Sequence, residues 1–141
     1  MKSKAVHFSK KELASEVSAE LGRVYECVND KIPPAYPCEN EKVVFVGVEM
    51  SGRLDKKVEA FLKDLNPTRT KNVAFYTVNK DGSTAGFEAI TKVLEANGVN
   101  VVAPVYNVKC VSSLFKSSVS DEEIQKAVAW AKDVIDNKLA Q

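Results

Sequence analysis

The sequence predicts an α/β protein built as a three-layer, doubly wound sheet of five parallel strands in the order 2-1-3-4-5. Strand-like and helix-like segments alternate along the 141 residues, a pattern that requires parallel strands joined by right-handed helical crossovers. Residues 42–48 are almost entirely apolar, as expected of a strand covered by helices on both faces. Pro104 lies in the last predicted strand, which favours the sheet edge, where this order puts the fifth strand.

The first half of the chain is predicted to hold three strands. They cover residues 4–8, 23–28 and 42–48. Residues 29–41 contain three prolines, so they are predicted to be a loop. The helix between the first two strands carries apolar residues at helical spacing and is predicted to stop at a glycine. These residues are Leu13, Val17, Leu21 and Gly22.

The second half continues the alternation, with strands predicted at residues 72–78 and 99–106. Apolar residues at helical spacing predict a helix before each of these strands and one at the C-terminus. Their apolar faces are Val58, Phe61, Leu62 and Leu65; Phe87, Ile90 and Leu94; and Ile124, Ala127, Val128, Ala131, Ile135 and Leu139. No repeat or linker interrupts the pattern, so residues 1–141 are predicted to form a single domain.

Two helices are predicted to begin at capping boxes, in which a serine hydroxyl accepts a first-turn N–H and a glutamate three residues later reaches back. Ser9 with Glu12 would begin the first helix, and Ser120 with Glu123 would begin the last.

Composition excludes several classes of function. Twenty basic and nineteen acidic residues leave a formal charge of +1, so nucleic-acid binding is not expected. No apolar run approaches the roughly 20 residues of a membrane span, and no signal peptide is evident, so the expected location is cytoplasmic. Cys27, Cys38 and Cys110 form no C-x-x-C pair and are expected to be reduced, partly buried thiols.

Ligands of open α/β sheets bind beyond the carboxyl ends of the strands where the strand order reverses. Here that crevice lies between the first and third strands, and the segment that reaches Cys110 is expected to form its far wall. The candidate binding residues come from three loops: Ser9, Lys10 and Lys11; Gly47, Glu49, Met50, Ser51, Gly52 and Arg53; and Asn79, Lys80 and Gly82.

A small anionic ligand is expected at this crevice because four cations follow the strand ends. Lys10, Lys11, Arg53 and Lys80 would converge on one mouth and create a positive field suited to phosphate or carboxylate. In the alternative interpretation these side chains diverge into solvent, partly neutralised by nearby carboxylates.

Several chemistries lack their motifs. No G-x-G-x-x-G, G-x-x-x-x-G-K-[ST] or G-x-S-x-G occurs, which excludes the usual dinucleotide, P-loop and serine-hydrolase sites. His7 is the single histidine and is interpreted as a strand residue rather than a catalytic base. Trp130 is interpreted as a packing residue of the last helix. With no nucleophile–base pair evident, an electron carrier or binding module is favoured over a stand-alone enzyme.

The chain resembles the flavodoxin-like family along nearly its whole length. The resemblance is carried by residues 4–10, by residues 43–53 with the V-x-x-F-L pattern at 58–62, by residues 71–77 and by residues 120–124. It implies a flavodoxin-like fold, FMN binding, electron transfer and a redox partner protein.

The sequence departs from that family in its FMN-binding loops. Residues 9–12 run directly into the first helix without a glycine-rich loop for the phosphate. Residues 49–54 and 79–86 contain no aromatic ring to stack on a flavin. One hypothesis is therefore an accessory or binding module with a degenerate FMN site. The alternative is a working FMN electron carrier in which Lys10, Lys11 and Arg53 neutralise the phosphate, and in which Gly47, Met50, Gly52 and Gly82 let the ring approach.

Overall fold

The computed structural model describes residues 2–50, 52–112 and 116–140. The strands are β1 (Ser3–Phe8), β2 (Val28–Lys31), β3 (Glu41–Glu49), β4 (Thr70–Asn79), β5 (Asn100–Lys109), β6 (Val111–Ser112) and β7 (Ser117–Ser118). The helices are α1 (Leu13–Tyr25), α2 (Lys56–Lys63), α3 (Phe87–Ala96) and α4 (Asp121–Asn137).

Strands β1 to β5 form one parallel sheet in the order β2-β1-β3-β4-β5. This confirms the predicted fold class and strand order. Strands β6 and β7 pair antiparallel in a separate two-stranded sheet, a pair that is not evident from the sequence.

The prediction for the end of α1 and for the second strand was wrong. Helix α1 continues past Gly22 to Tyr25, and Glu26 ends it in a left-handed conformation with φ 51°. A Cβ at Gly22 would lie 3.1 Å from Asn29 Cβ, so this glycine allows the close passage of β2 and does not stop the helix. Residues 23–25 are therefore helical, and the strand begins five residues later than predicted, at Val28.

The two predicted capping boxes have different outcomes. At α4, half of the predicted box forms: Ser120 Oγ accepts the Glu123 N–H at 3.2 Å, but the Glu123 carboxylate accepts the N–H of Lys109 on β5 instead of reaching back to Ser120. At α1, Glu12 is itself the N-cap, left-handed with φ 65° and without a side-chain cap. Ser9 Oγ accepts the N–H of Ser15 at 3.0 Å, but the predicted Ser9–Glu12 box is not formed.

Helices cover both faces of the sheet, and successive residues of β3 point to opposite sides. Phe45 belongs to the core beneath α1 and α4, whereas Val44 and Val46 belong to the core beneath α2 and α3. Trp130 of α4 stacks on Tyr106, with ring centroids 5.2 Å apart, so its role is packing, as interpreted. No helix in the described ranges is long and apolar enough to cross a membrane.

On each edge strand, a carboxylate side chain accepts a backbone N–H group that faces away from the sheet. On β2, Ile32 N–H donates to His7 O of β1, so the preceding N–H faces outwards. That N–H, of Lys31, donates to Asp30 Oδ1 at 2.8 Å. On β5, the outward N–H of Lys109 donates to Glu123 Oε1 at 3.1 Å. The pairing of β4 with β5 is irregular at residues 103–105, which include Pro104, because Ala74 pairs with Val102 but Tyr76 pairs with Tyr106.

Candidate functional site

A cavity of about 310 Å³ lies at the carboxyl ends of β1, β3 and β4. This is the point where the strand order reverses, because the chain leaves the neighbours β1 and β3 towards opposite edges of the sheet. The cavity has an apolar floor of Leu13, Met50 and Val78, all nearly fully buried. Its polar rim consists of Lys10, Lys11, Glu49, Asn79, Lys80, Asp81, Cys110, Ser112 and Ser117.

The carboxylate of Glu49, the last residue of β3, is hydrogen-bonded to the backbone that leads into α1. Its Oε1 accepts the Lys11 N–H at 2.9 Å. Its Oε2 accepts the N–H groups of Lys10 at 3.1 Å and Leu13 at 3.3 Å. Three converging N–H groups near a helix N-terminus are the usual donors for an anion, and here one side chain of the same protein takes all three.

A second remote residue anchors the same end of α1. Tyr76 of β4 is fully buried, and its hydroxyl donates to Ala14 O at 3.2 Å. The ring crosses β3 at Gly47, where an added Cβ would lie 2.1 Å from Tyr76 Cζ. Gly47 is thus a packing position inside the sheet, and it lines no cavity at the crevice.

The loop after β4 is held by a network of amide side chains. Asn79 Oδ1 accepts the Gly82 N–H at 2.9 Å and Asn107 Nδ2 at 2.8 Å. Asn79 Nδ2 donates to Ser83 O at 3.0 Å. Gly82 has φ 73°, a conformation that glycine adopts without strain. These bonds fix the loop that presents Lys80.

The structure brings six of the predicted site residues together around the 310 Å³ cavity: Lys10, Lys11, Glu49, Met50, Asn79 and Lys80. Arg53 instead lines an adjoining cavity of about 470 Å³, which shares Lys10 and Glu49 with the first. Ser9, Gly47, Gly52 and Gly82 line neither cavity, and Ser51 lies outside the described residues.

Sequence reasoning missed part of this surface. Lys56 and Lys57 line the second cavity, and the spacing of Asp55 before an apolar helix could have placed them at its first turn. Ser112 and Ser117 belong to the unpredicted β6–β7 pair. Cys110 lines the 310 Å³ cavity, in agreement with the expectation that the segment after Tyr106 forms the far wall of the crevice.

Cys110 and His7 are two titratable side chains whose pKa values are shifted by burial. Burial raises the pKa of the Cys110 thiol, although Lys80 acts in the opposite direction, so the thiol is not activated. Burial lowers the pKa of His7, although the neighbouring Asn29 side chain acts in the opposite direction, and His7 lines neither cavity. Within the described ranges, no cluster of His, Cys, Asp and Glu could hold a metal ion.

The residues present do not fit an FMN phosphate held by backbone N–H groups, which is the grip that the family resemblance implies. The donors at the start of α1 are bonded to Glu49. No aromatic side chain of the described residues lines the 310 Å³ cavity, whose volume is at the low end of the roughly 300–1,000 Å³ of small-molecule sites.

No protein-family model matches the sequence, and no curated protein matches it either. Solved structures do share its architecture. One is a short-chain flavodoxin associated with a non-canonical PDU bacterial microcompartment, with 10% sequence identity, coverage of 96% of this chain and 97% of that chain, and a TM-score of 0.65. Another is the two-electron reduced flavodoxin of Megasphaera elsdenii, with 16% identity, coverage of 91% and 98%, and a TM-score of 0.60. The chain therefore has the flavodoxin-like fold.

Proposed function

We propose that this protein is an accessory or binding module of a redox system, built on the flavodoxin-like fold but with a crevice that does not take FMN. Such a module acts by docking to a redox partner protein rather than by carrying electrons on a flavin of its own. The observation that carries the proposal is the Glu49 carboxylate on the N–H groups of Lys10, Lys11 and Leu13.

Glu49 competes with any phosphate in two ways. Hydrogen bonds to a charged acceptor stabilise a protein by about 1.5–3 kcal/mol each, and an incoming phosphate must replace three of them. The carboxylate also repels a second anion at short range. Because Glu49 is fixed on β3, it competes at the high effective concentration of an intramolecular group.

A working FMN carrier is the second candidate, and the lysines of the rim favour it. Lys10 and Lys11 line the 310 Å³ cavity beside the buried Met50 and Val78. In this case side-chain ammonium groups, and not the backbone, would hold the phosphate.

An absorbance spectrum of the freshly purified protein separates the two candidates. We expect a colourless protein, and we expect FMN added to it to keep its fluorescence. A yellow preparation containing one FMN per chain would overturn the proposal and establish the carrier.

A pair of variants tests the role of Glu49 directly. Glu49→Ala frees the three N–H donors, and we expect FMN to bind it at least about tenfold more tightly than it binds the unchanged protein, since 1.4 kcal/mol corresponds to that factor. Riboflavin, which lacks the phosphate, should show no such gain.

Asp81→Ala is the matched control. Asp81 lines the same cavity, but its Oδ1 accepts the N–H of Ser83 at 3.0 Å and none of the α1 donors. Both variants remove one negative charge, so an equal gain in FMN affinity would show that charge alone matters and that Glu49 does not block a phosphate site.

A further inference from the structure

Two adjoining cavities share a wall at the crevice mouth. The 310 Å³ cavity contains Lys11 and Lys80, and the 470 Å³ cavity contains Arg53, Lys56 and Lys57. Lys10 and Glu49 line both. The surface therefore has two positively charged compartments with one carboxylate between them.

The cations of this surface form no ion pair among the residues that the structure describes. Six cationic side chains line the two cavities: Lys10, Lys11, Arg53, Lys56, Lys57 and Lys80. None of them forms an ion pair with another described residue, whereas pairs do occur elsewhere on the chain. Unpaired lysines are ordinary on a protein surface, but six around one opening create a local field.

The three carboxylates in the same cavities are bonded to backbone N–H groups. Glu49 takes the donors before α1, Asp55 Oδ1 accepts the N–H of Lys57 at 2.8 Å as the N-cap of α2, and Asp81 bonds to Ser83. Six cations and three carboxylates leave a surplus of three positive charges in a chain whose formal net charge is +1.

We infer that this mouth binds a small polyanion, a molecule with two or more linked phosphate or carboxylate groups that extends across both cavities. A single anion cannot serve both compartments, because Glu49 lies between them. One end of the ligand is held by Lys11 and Lys80 as point charges, and the other by Arg53, whose planar guanidinium can bind two oxygens of one group. Lys10 contacts the ligand from the shared wall.

The ligand is held by side chains alone, since the backbone donors are occupied. This inference rests on the proposed function in one respect, namely that the crevice contains no flavin. The small volumes of the two compartments favour a compact ligand over the flat acidic surface of a protein.

Isothermal titration of the purified, colourless protein with inorganic tripolyphosphate, orthophosphate and citrate tests the inference. We expect tripolyphosphate to bind at least about tenfold more tightly than orthophosphate, because linking two binding groups makes the second contact intramolecular. Citrate binding of similar strength would assign carboxylates to the site, and weak citrate binding would assign phosphates. Equal affinities for tripolyphosphate and orthophosphate would overturn the inference.

Variants on each side of Glu49 test whether the ligand extends across both cavities. Lys80→Ala and Arg53→Ala should each lower tripolyphosphate affinity at least about fivefold and leave orthophosphate affinity within about twofold. The matched control is Lys71→Ala, which removes one exposed charge at the opposite end of β4. If Lys71→Ala weakens binding equally, bulk charge explains the affinity and the site does not exist.

Two further outcomes separate this inference from the proposed function. Hexaglutamate binding more tightly than tripolyphosphate would replace the small ligand with an acidic protein segment. A colourless protein without preference for tripolyphosphate would refute the inference and leave the proposed function intact, whereas a yellow protein would refute the proposed function whatever the titration shows.

Discussion

Helices α1 and α4 pack on the same face of the sheet, but their N-termini are stabilised in different ways. At α4, Ser120 accepts the N–H of Glu123, three residues along the chain. At α1, Glu49 accepts N–H groups that are 36 to 39 residues away in sequence, and Tyr76 bonds to Ala14 from 62 residues away. The N-cap of α4 is thus local, with one further bond from Glu123 to Lys109 of β5, whereas the start of α1 depends on β3 and β4 and on the crevice they form.

The largest expected effect comes from Gly47→Ala, which should disrupt the start of α1 more than the start of α4, although the Tyr76 ring also packs edge-on against Trp130 in the middle of α4. The added Cβ would lie 2.1 Å from Tyr76 Cζ, so the buried ring must move and its hydroxyl must leave Ala14 O. Overpacking of a core costs about 1–3 kcal/mol, and the lost hydrogen bond about 1 kcal/mol more. We therefore expect a loss of roughly 3 kcal/mol in the free energy of unfolding, measured by urea denaturation.

Hydrogen exchange of the same variant locates the damage. Amides in the first turns of α1 should lose protection, and those in the first turn of α4 should keep it. Loss of protection in both helices to the same extent would mean that the two ends are not independent.

Glu49→Gln should have the next largest effect on stability. The side chain keeps its shape but loses its charge and one acceptor oxygen, so the bonds to Lys10, Lys11 and Leu13 weaken. We expect a loss of about 2 kcal/mol, because charge-assisted hydrogen bonds are replaced by fewer neutral ones. Raising the salt concentration should reduce the difference between the variant and the unchanged protein.

Ser120→Ala removes the N-cap of α4 and should lower the free energy of unfolding by less than Glu49→Gln does. Removal of an N-cap side chain costs about 1 kcal/mol, and only the bond to Glu123 N–H is lost here. Ligand binding at the crevice should be unchanged, since Ser120 lines neither cavity. A larger loss for Ser120→Ala than for Glu49→Gln would reverse the comparison.

The smallest expected effect is a pH dependence that originates at His7, on the strand that leads to α1. Burial lowers the pKa of His7, and Asn29, Asp30 and Glu12 oppose the shift only in part. The unfolded chain then binds a proton more readily than the folded one, so stability is complete above the unfolded pKa of about 6.5 and falls as pH drops through the lowered folded pKa. The slope cannot exceed about 1.4 kcal/mol per pH unit.

A comparison with His7→Gln isolates this contribution. Glu41 titrates with the opposite sign, because burial raises the pKa of its carboxyl, and it is present in both proteins. Between pH 7.5 and pH 5, the free energy of unfolding of the unchanged protein should fall relative to that of His7→Gln, because protonation of His7 destabilises the folded state. A difference independent of pH would show that His7 does not titrate differently in the two states.

The parts of the structure that could be predicted from the sequence depend on neighbouring residues. The apolar run before Glu49, the apolar face of α4 and the cap at Ser120 follow from the spacing of a few residues. The sheet order and the position of the crevice followed from the alternation of strand and helix patterns along the chain, with Pro104 in the last strand. The end of α1 could not be predicted from the sequence. A glycine at this position is typical of a helix end, but Gly22 is required because β2 passes close to it.

The candidate site was predictable in position but not in its chemistry. Loops that follow parallel strands meet at one end of a sheet, so Lys10, Lys11 and Lys80 could be placed together. The bonds of Glu49 to the α1 backbone, and the separation of Arg53 into a second cavity, depend on contacts between residues far apart in sequence. Spacing does not contain that information.

The carboxylates bonded at the two edges of the sheet bear on how this molecule can associate. Asp30 takes the outward N–H of Lys31 on one side, and Glu123 takes that of Lys109 on the other, while Pro104 offers no donor at all. One outward donor is thus occupied on each edge strand, and β5 contains a proline, two features that oppose edge-to-edge aggregation of a sheet whose interior strands are as apolar as residues 43–48. Side-chain contacts then become the more favourable route of association, and among the described residues six cations without an ion pair line the cavities at the carboxyl end of the sheet.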